Sequence, residues 1–388
     1  MIARMTDPGP HRAEVVVDLA AVRHNVRILK DLVSVDGPVQ LMTVVKADGY
    51  GHGMVEVAAA ARDAGADWLG VATIDEALAL RAAGDRGPLL CWLSAPGDDF
   101  ASAVAAGIEV TAYSVAELDE IAAAGPARVQ LKVDTGLSRG GAARADWEAL
   151  FTAAAAHEEA GRIEVTGIWS HLASSDEPAH PANDQQEQAF RAALALAEET
   201  GLEPSVTHLA NSAATLLRPS SHFDLVRCGI ASYGLDPAPG ASPRIGLRPA
   251  MTLRARLLMS KPVAAGDGVS YGHTWHADHD TTLGVVPVGY ADGIPRAAGN
   301  AASVWVDDSL RPVRGRVCMD QLVVDLHGEL PPPGTEVLLL GPGDLGEPTA
   351  QDWAEASGTI SYEIVTRLGG RLGGRVVRRH VDSEETTR

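Results

Sequence analysis

Between about Val39 and Gly234 the apolar positions gather into short runs rich in β-branched residues, which alternate with Ala-rich stretches of helical period. Eight runs are distinguishable: LMTVVK to Lys46, WLGVAT to Thr73, LLCWLS to Ser94, EVTAYS to Ser114, RVQLKVD to Asp134, VTGIWSH to His171, VTHLANS to Ser212 and LVRCGIASYG to Gly234. Helices are expected over residues 54–64, 74–83, 115–124, 147–160 and 183–200, and Gly65, Gly84, Gly107, Gly125, Gly161 and Gly201 stand where C-terminal stops are needed. Eight strand-plus-helix units predict a closed parallel (β/α)8 barrel of the TIM type across residues 20–245; an open doubly wound sheet is the alternative.

Beyond the Pro/Gly-rich segment 236–249 the texture changes. MTLRARLLMS, TLGVVPVGYA, ASVWVDD, PVRGRVCMDQLVVDL and TEVLLLG read as strands separated by turns, which predicts a mostly antiparallel C-terminal β-domain across residues 250–380. The early run AEVVVDL, residues 13–19, is expected either to pair with the barrel or to join the β-domain, and the polar tail VDSEETTR is expected to fray. A length of 388 residues accommodates both domains, since such a barrel takes about 250.

A hydrophobic content of 46% supplies ample core, so disorder is not the default. The formal charge of −19 repels polyanions in general, and no basic patch offsets it, so neither nucleic acid nor a membrane is an expected partner. Cys91, Cys228 and Cys318 are widely spaced, which argues against a disulfide framework and a zinc site. The N-terminal MIARMTDPGPHR lacks the apolar core of a signal peptide, and no run approaches the roughly 20 apolar residues of a membrane span, so a cytoplasmic location is expected.

In a parallel barrel the active site lies at the carboxyl ends of the strands. Lys46 closes the first run, Arg139 follows the fifth, His171 closes the sixth, Asn211 and Ser212 close the seventh, and Arg227, Gly229 and Ile230 lie on the eighth. A lysine ending an apolar strand has a partly desolvated amine, which favours the neutral nucleophile; taken alone it is more often a rim residue. Gly49, Gly51 and Gly53 free the backbone beside it, as a phosphate loop requires, although such a cluster is usually only a turn.

VVKADGYGHG, KVDTGLSRGG, HLANSAA, VRCGIASYG, VSYGHTW, VPVGYADGIPR, GRVCMDQLVVDL and TISYEIVTRL resemble, in this order, the successive motifs of alanine racemase, and cover the chain from Ala13 to about Leu368. The resemblance implies a pyridoxal 5'-phosphate enzyme, assembled as a head-to-tail homodimer with shared active sites, that interconverts L- and D-alanine for peptidoglycan synthesis. It implies that Lys46 binds the cofactor and exchanges the α-proton on one face, and that the partner subunit supplies Tyr271 for the other. Tyr50, Ser212, Gly229, Ile230 and Tyr362 correspond to the phosphate cradle, with Asn211 beside it in the cofactor site, and Arg227 to the arginine facing the pyridine nitrogen. Arg139 and Met319 correspond to the groups taking the substrate carboxylate, His171 to the histidine linking Arg227 to the catalytic tyrosine, and Lys132 to a lysine carbamylated in many members. The glycine-rich LGGRLGGR near the C-terminus departs from the family pattern.

These residue types suit racemisation, which needs two acid/base groups flanking a planar carbanion. An arginine at the pyridine nitrogen holds its proton too firmly to donate it. A phenol titrates near about 10, so a tyrosine base needs neighbouring positive charge, for which Arg139 and the Arg227–His171 pair are available. A pocket around Tyr362 and Met319 that admits a methyl group discriminates against a slightly larger side chain by only about 1–3 kcal/mol, so slower serine turnover is expected. A basic amino acid decarboxylase of similar architecture would carry an acidic pyridine partner where Arg227 stands, and a single-barrel cofactor carrier would lack the β-domain. His273, His276 and His279 with Asp278 and Asp280 superficially suggest a metal cluster, but the stretch contains no cysteine and has no clean helical or strand context, and no metal is expected. Tyr113, Trp92 and Trp169 are expected in the barrel core, and Asp292 in a turn.

Overall fold

The computed structural model describes residues 11–35, 37–368 and 376–383. LGGRLGGR after Leu368, the first ten residues and the last five of the tail lie outside the described residues. Contacts divide the chain into a barrel unit, Val22–Gly49 with Met54–Leu247, and a second unit formed by the rest, including Tyr50–Gly53.

All eight barrel runs are strands. After β1 (Ala13–Asp18) come β2 (Gln40–Val44), β3 (Trp68–Val71), β4 (Leu89–Cys91), β5 (Glu109–Ala112), β6 (Ala127–Lys132), β7 (Ile163–Trp169), β8 (Val206–His208) and β9 (Leu225–Cys228). They form one sheet in the order β8-β7-β6-β5-β4-β3-β2-β9, every ladder parallel. Residues of β3, β4, β5 and β9 are buried throughout, as expected of strands covered on both faces. Between β8 and β9 closure rests on one bridge, Asn211 to Arg227, with Arg227 N–H donating to Ala210 O (3.0 Å) and Asp224 N–H to Thr207 O (3.0 Å).

Helices Met54–Asp63, Ile74–Ala82, Val115–Ala123, Trp147–Glu159 and Ala182–Glu199 occupy the expected stretches, and all six stop glycines have positive φ. Helix Phe100–Ala105 lies directly before the stop glycine Gly107, and helix Leu19–Val33 lies ahead of the first barrel strand. Several strands end sooner than the apolar runs: β2 stops two residues before Lys46, β7 two before His171, and β8 four before Ser212. The chemistry-bearing residues therefore sit in the connections that follow, which is where a barrel places its active-site groups.

In the second unit a six-stranded sheet runs in the order Ser309–Pro312, Ser303–Val306, Glu336–Leu340, Met251–Arg256, β1 and Val377–Val381. AEVVVDL thus pairs with Met251–Arg256 and Val377–Val381, not with the barrel. A three-stranded sheet joins Met259–Val263, Thr281–Val286 and Leu322–Asp325. PVRGRVCMDQLVVDL is not one strand: Pro312 ends the strand Ser309–Pro312, and Gly315 at φ 72° and a turn closed by Cys318 N–H donating to Gln321 O (2.9 Å) separate it from the strand Leu322–Asp325, with Met319 in the irregular part.

Gly167 on β7 illustrates how tightly the barrel interior is filled. A Cβ there would meet the Gln130 side chain at 2.9 Å. Gly167→Ala is expected to cost about 1–3 kcal/mol by overpacking, read as a lower urea midpoint at unchanged slope; an unchanged midpoint would show that Gln130 has room to yield.

Candidate active site

Lys46 leads into a left-handed turn in which Ala47, Asp48, Gly49 and Tyr50 have φ of 53, 53, 62 and 53°. For residues other than glycine this region costs roughly 1–2 kcal/mol each, so the turn needs external support. Gly49 N–H donates to Val45 O (2.8 Å), Met54 N–H to Asp48 Oδ1 (3.0 Å) and Ala47 N–H to Glu76 Oε1 (2.8 Å). Glu76 also completes a capping box with Thr73 and accepts from Ala72 N–H (2.8 Å), so one carboxylate ties the turn to the next strand-helix unit. Burial lowers the Lys46 amine from its ordinary value, Arg139 lowers it further and Glu76 opposes both.

Lys132 ends β6 and is buried. Burial first, then Arg227, Arg139 and Lys46, bring its amine down to about 8 against the opposing charge of Asp134. Its Nζ lies 4.5 Å from the Trp169 ring centre and 5.2 Å from that of Tyr113. Arg139 is exposed on the following loop, which Asp134 shapes by accepting from Gly136 N–H (2.9 Å) and Ser138 N–H (3.1 Å).

Arg227, on β9, is buried. It donates to His208 Nδ1 (2.8 Å), Ser170 O (2.8 Å), Leu209 O (3.0 Å) and His171 Nδ1 (3.2 Å). All four partners are uncharged, and burial pulls the guanidinium down to about 9. Burial and Arg227 hold His208 well below the usual histidine range; half-buried His171 moves the same way, with Arg139, Lys132 and Lys46 contributing. Lys46, Lys132, Arg139 and Arg227 thus share one electrostatic environment.

Asn211 caps the helix Ser212–Leu217, its Oδ1 accepting from Ala214 N–H (3.1 Å) and Ser175 Oγ (2.9 Å). Ser212 Oγ accepts from Gly229 N–H (2.9 Å) and Ala231 N–H (3.4 Å), which ties Ser212 to the backbone on either side of Ile230.

The remaining predicted residues belong to the second unit. The rings of Tyr50 and Tyr362 lie 6.3 Å apart. Tyr271 and Met319 are 70% and 53% exposed, and their segments are joined where Ser270 Oγ donates to Arg316 O (2.7 Å) and lies 3.4 Å from Cys318 Sγ. His273 packs edge-on against His276, and His279 pairs with its neighbour Asp278. Asp292 lies in a turn, accepting from Gly289 N–H (3.0 Å).

One residue that meets the site's charged groups went unremarked in the sequence: His208, in VTHLANS, though alternation places it on the same side of β8 as the buried Val206. Trp169 is buried in the core, as expected, where it stacks on His208 (5.6 Å between centres) and faces Arg227 at 4.8 Å; Lys46 lies 5.8 Å from the Trp92 ring.

Residues 17–237 match the family model described as alanine racemase, N-terminal domain, and residues 250–376 match alanine racemase, C-terminal domain. The chain is 55% identical over 363 residues to an alanine racemase of Salinispora arenicola, covering 92% of this chain and 96% of that one. The crystal structure of the alanine racemase of Streptomyces lavendulae, 49% identical, superposes with a TM-score of 0.93 over 97% of this chain and 99% of the other. An alanine racemase structure from Bartonella henselae, 30% identical and described with covalently bound pyridoxal phosphate, superposes at 0.84, covering 96% of this chain and 100% of that one.

The neutral, buried His208 makes a prediction about acid stability. Unfolded, the ring titrates near 6.5; folded, its value lies well below. Above about pH 6.5 both states are neutral and the contribution is complete, whereas below it the unfolded chain gains a proton that the folded chain refuses. Stability should then fall by about 1.4 kcal/mol per pH unit from this residue. Urea unfolding at about pH 7.5 and about pH 5.5 should show a smaller drop for His208→Gln than for the unaltered chain; equal drops would exclude His208 as a source.

Proposed function

The chain belongs to the alanine racemase family of isomerases, and on that premise we propose that it interconverts L- and D-alanine with pyridoxal 5'-phosphate held at Lys46. The observation that carries this reading is the gathering of Lys46, Lys132, Arg139 and Arg227 at the carboxyl ends of the strands, each positive charge depressing the titration of its neighbours. Such a group favours a polyanionic cofactor and an anionic substrate.

The residues fit that cofactor. Ser212 and the backbone at Gly229 and Ile230 offer a phosphate cradle, to which Tyr50, Tyr362 and the Asn211-capped segment would contribute. Lys46 has the desolvated amine that covalent attachment requires. Arg227, held by neutral partners, would face the ring nitrogen as a donor that does not surrender its proton. When bound, the cofactor supplies a conjugated electron sink that lowers the cost of a carbanion at the α-carbon. Lys46 would take or return the α-proton on one face and Tyr271 on the other, while Arg139 and Met319 hold the substrate carboxylate.

High exposure of Tyr271 and Met319 in the single chain supports their service to a second copy, in a head-to-tail homodimer with shared sites. His171, beside Arg227, would link that arginine to the partner's phenol. An amine titrating near about 8 keeps a neutral fraction of about a tenth at pH 7, so Lys132 can add carbon dioxide, forming an N–C bond with loss of a proton. The resulting carbamate would orient Arg139. Supply of D-alanine to peptidoglycan, in the cytoplasm, belongs to the same proposal; among the described residues no helix is long and apolar enough to cross a membrane.

The purified chain, given L-alanine and pyridoxal phosphate, should form D-alanine, and Lys46→Ala should reduce the rate by about 10²–10⁴-fold. Tyr271→Phe should fall comparably while still exchanging the α-proton of one enantiomer with deuterated solvent. Release of carbon dioxide in place of D-alanine would overturn the reading. Mixing Lys46→Ala with Tyr271→Phe chains should restore about a quarter of the unaltered chain's activity, because half the dimers are hybrid and each holds one intact site; no recovery would exclude shared sites.

A further inference from the structure

The barrel interior holds a carboxylate that the proposed reaction does not use. Glu109 opens β5 and is 1% exposed. Its Oε2 accepts from Thr166 Oγ1 (2.7 Å) and Gln130 Nε2 (2.9 Å), and the Arg128 guanidinium lies 2.9 Å from Oε1. Burial, and to a lesser degree Glu164, raise the Glu109 carboxyl, whereas the hydrogen bonds from Thr166 and Gln130 and the charge of Arg128 favour its ionised form. Gln130 Oε1 then meets His208 Nε2 at 2.7 Å, and His208 Nδ1 meets Arg227 at 2.8 Å. Glu109, Gln130 and His208 are all fully enclosed, and the absence of a side chain at Gly167 makes the space Gln130 occupies.

Donor and acceptor chemistry makes this chain directional. An ionised carboxylate only accepts, so Gln130 must turn its amide N–H toward Glu109 and its carbonyl toward His208. His208 must then donate from Nε2, which leaves Nδ1 as the acceptor that a guanidinium needs. Reversing the amide would set an N–H of the ring against the N–H of Arg227. Because the direct partners of Arg227 are uncharged, Glu109 is the anion at the far end of its hydrogen-bonded chain.

We propose that Glu109 and Gln130 are positioning residues that lock His208 in its Nε2-protonated tautomer and so hold Arg227 as a fixed, charged donor. The consequence for turnover rests on the assignment of Arg227 to the cofactor ring; the lock itself does not.

Glu109→Gln keeps shape but lets residue 109 both donate and accept, so the Gln130 amide gains a second orientation. The transposed pair Glu109→Gln with Gln130→Glu places a carboxylate beside His208 that can only accept, and restores direction. Ring ¹⁵N spectra of the full-length chain, with the His208 signals identified by their loss in His208→Gln, should report a single Nε2-protonated tautomer. In Glu109→Gln the tautomer preference should weaken about three- to tenfold, with kcat of the loaded enzyme falling by a similar factor at unchanged KM; both should recover in the transposed pair. A side chain that only fills space predicts an innocuous isosteric change and no rescue. Unchanged ring signals in Glu109→Gln, or failure of the transposed pair to recover them, would overturn the lock; a shifted tautomer with unaltered kcat would overturn its consequence for turnover. Failure of the functional assignment shows separately, as absence of D-alanine with the unaltered chain, and leaves the ring measurement readable.

Discussion

Crowding of like charge in a poorly hydrated place is the constraint around which this barrel is arranged. Arg139 depresses Lys46, and Arg227, Arg139 and Lys46 depress Lys132, while burial raises the cost of the charge on Lys46, Lys132 and Arg227. The protein meets that cost without neutralising the group. Carbonyls of Ser170 and Leu209 and two neutral imidazoles surround Arg227, aromatic faces stand over the lysines, and Asp134 and Glu76 remain at the periphery. A carboxylate in direct contact would stabilise the fold more, but it would cancel the field an anionic ligand needs.

Rigid placement of Lys46 has a conformational cost. Three residues other than glycine in succession around Gly49 hold left-handed angles, and the hydrogen bonds that keep them there come from Asp48 within the turn and Glu76 outside it. Glu76 is also the third residue of its helix, so a routine cap doubles as a brace. Glu117 repeats the device two units later, accepting from Tyr113 N–H and Ser94 Oγ while its own N–H is capped by Ser114. The repetition shows a general way for a barrel to couple each connection to its neighbour.

Most of the fold was legible in the chain because its signals are local. Apolar runs, helical periods and stop glycines such as Gly65 and Gly161 each act within a few residues. What escaped depended on partners far apart in sequence. Strand ends were overestimated at VTHLANS and LVRCGIASYG because hydrophobicity continues into residues buried by their tertiary surroundings. GRVCMDQ carries β-like composition, yet Gly315 and the turn at Cys318 break it. Lys46 and Arg227 could be singled out by their place at strand ends together with motif order, whereas His208 could not, since a histidine within an apolar run looks like filler until Gln130 and Arg227 are brought against it from other strands.

The seam between β8 and β9 adds a mechanical aspect. Every other pair of adjacent barrel strands shares a ladder, but here one bridge at Asn211 and Arg227 and a few neighbouring bonds complete the ring. Ser212 and Gly229, on opposite sides of that weak joint, are already laced by a single hydroxyl. A ligand fastened there would act as a rivet across the last open stave, and its grip would add to the integrity of the whole cylinder. Amide protons along the joint would exchange more slowly once it is in place.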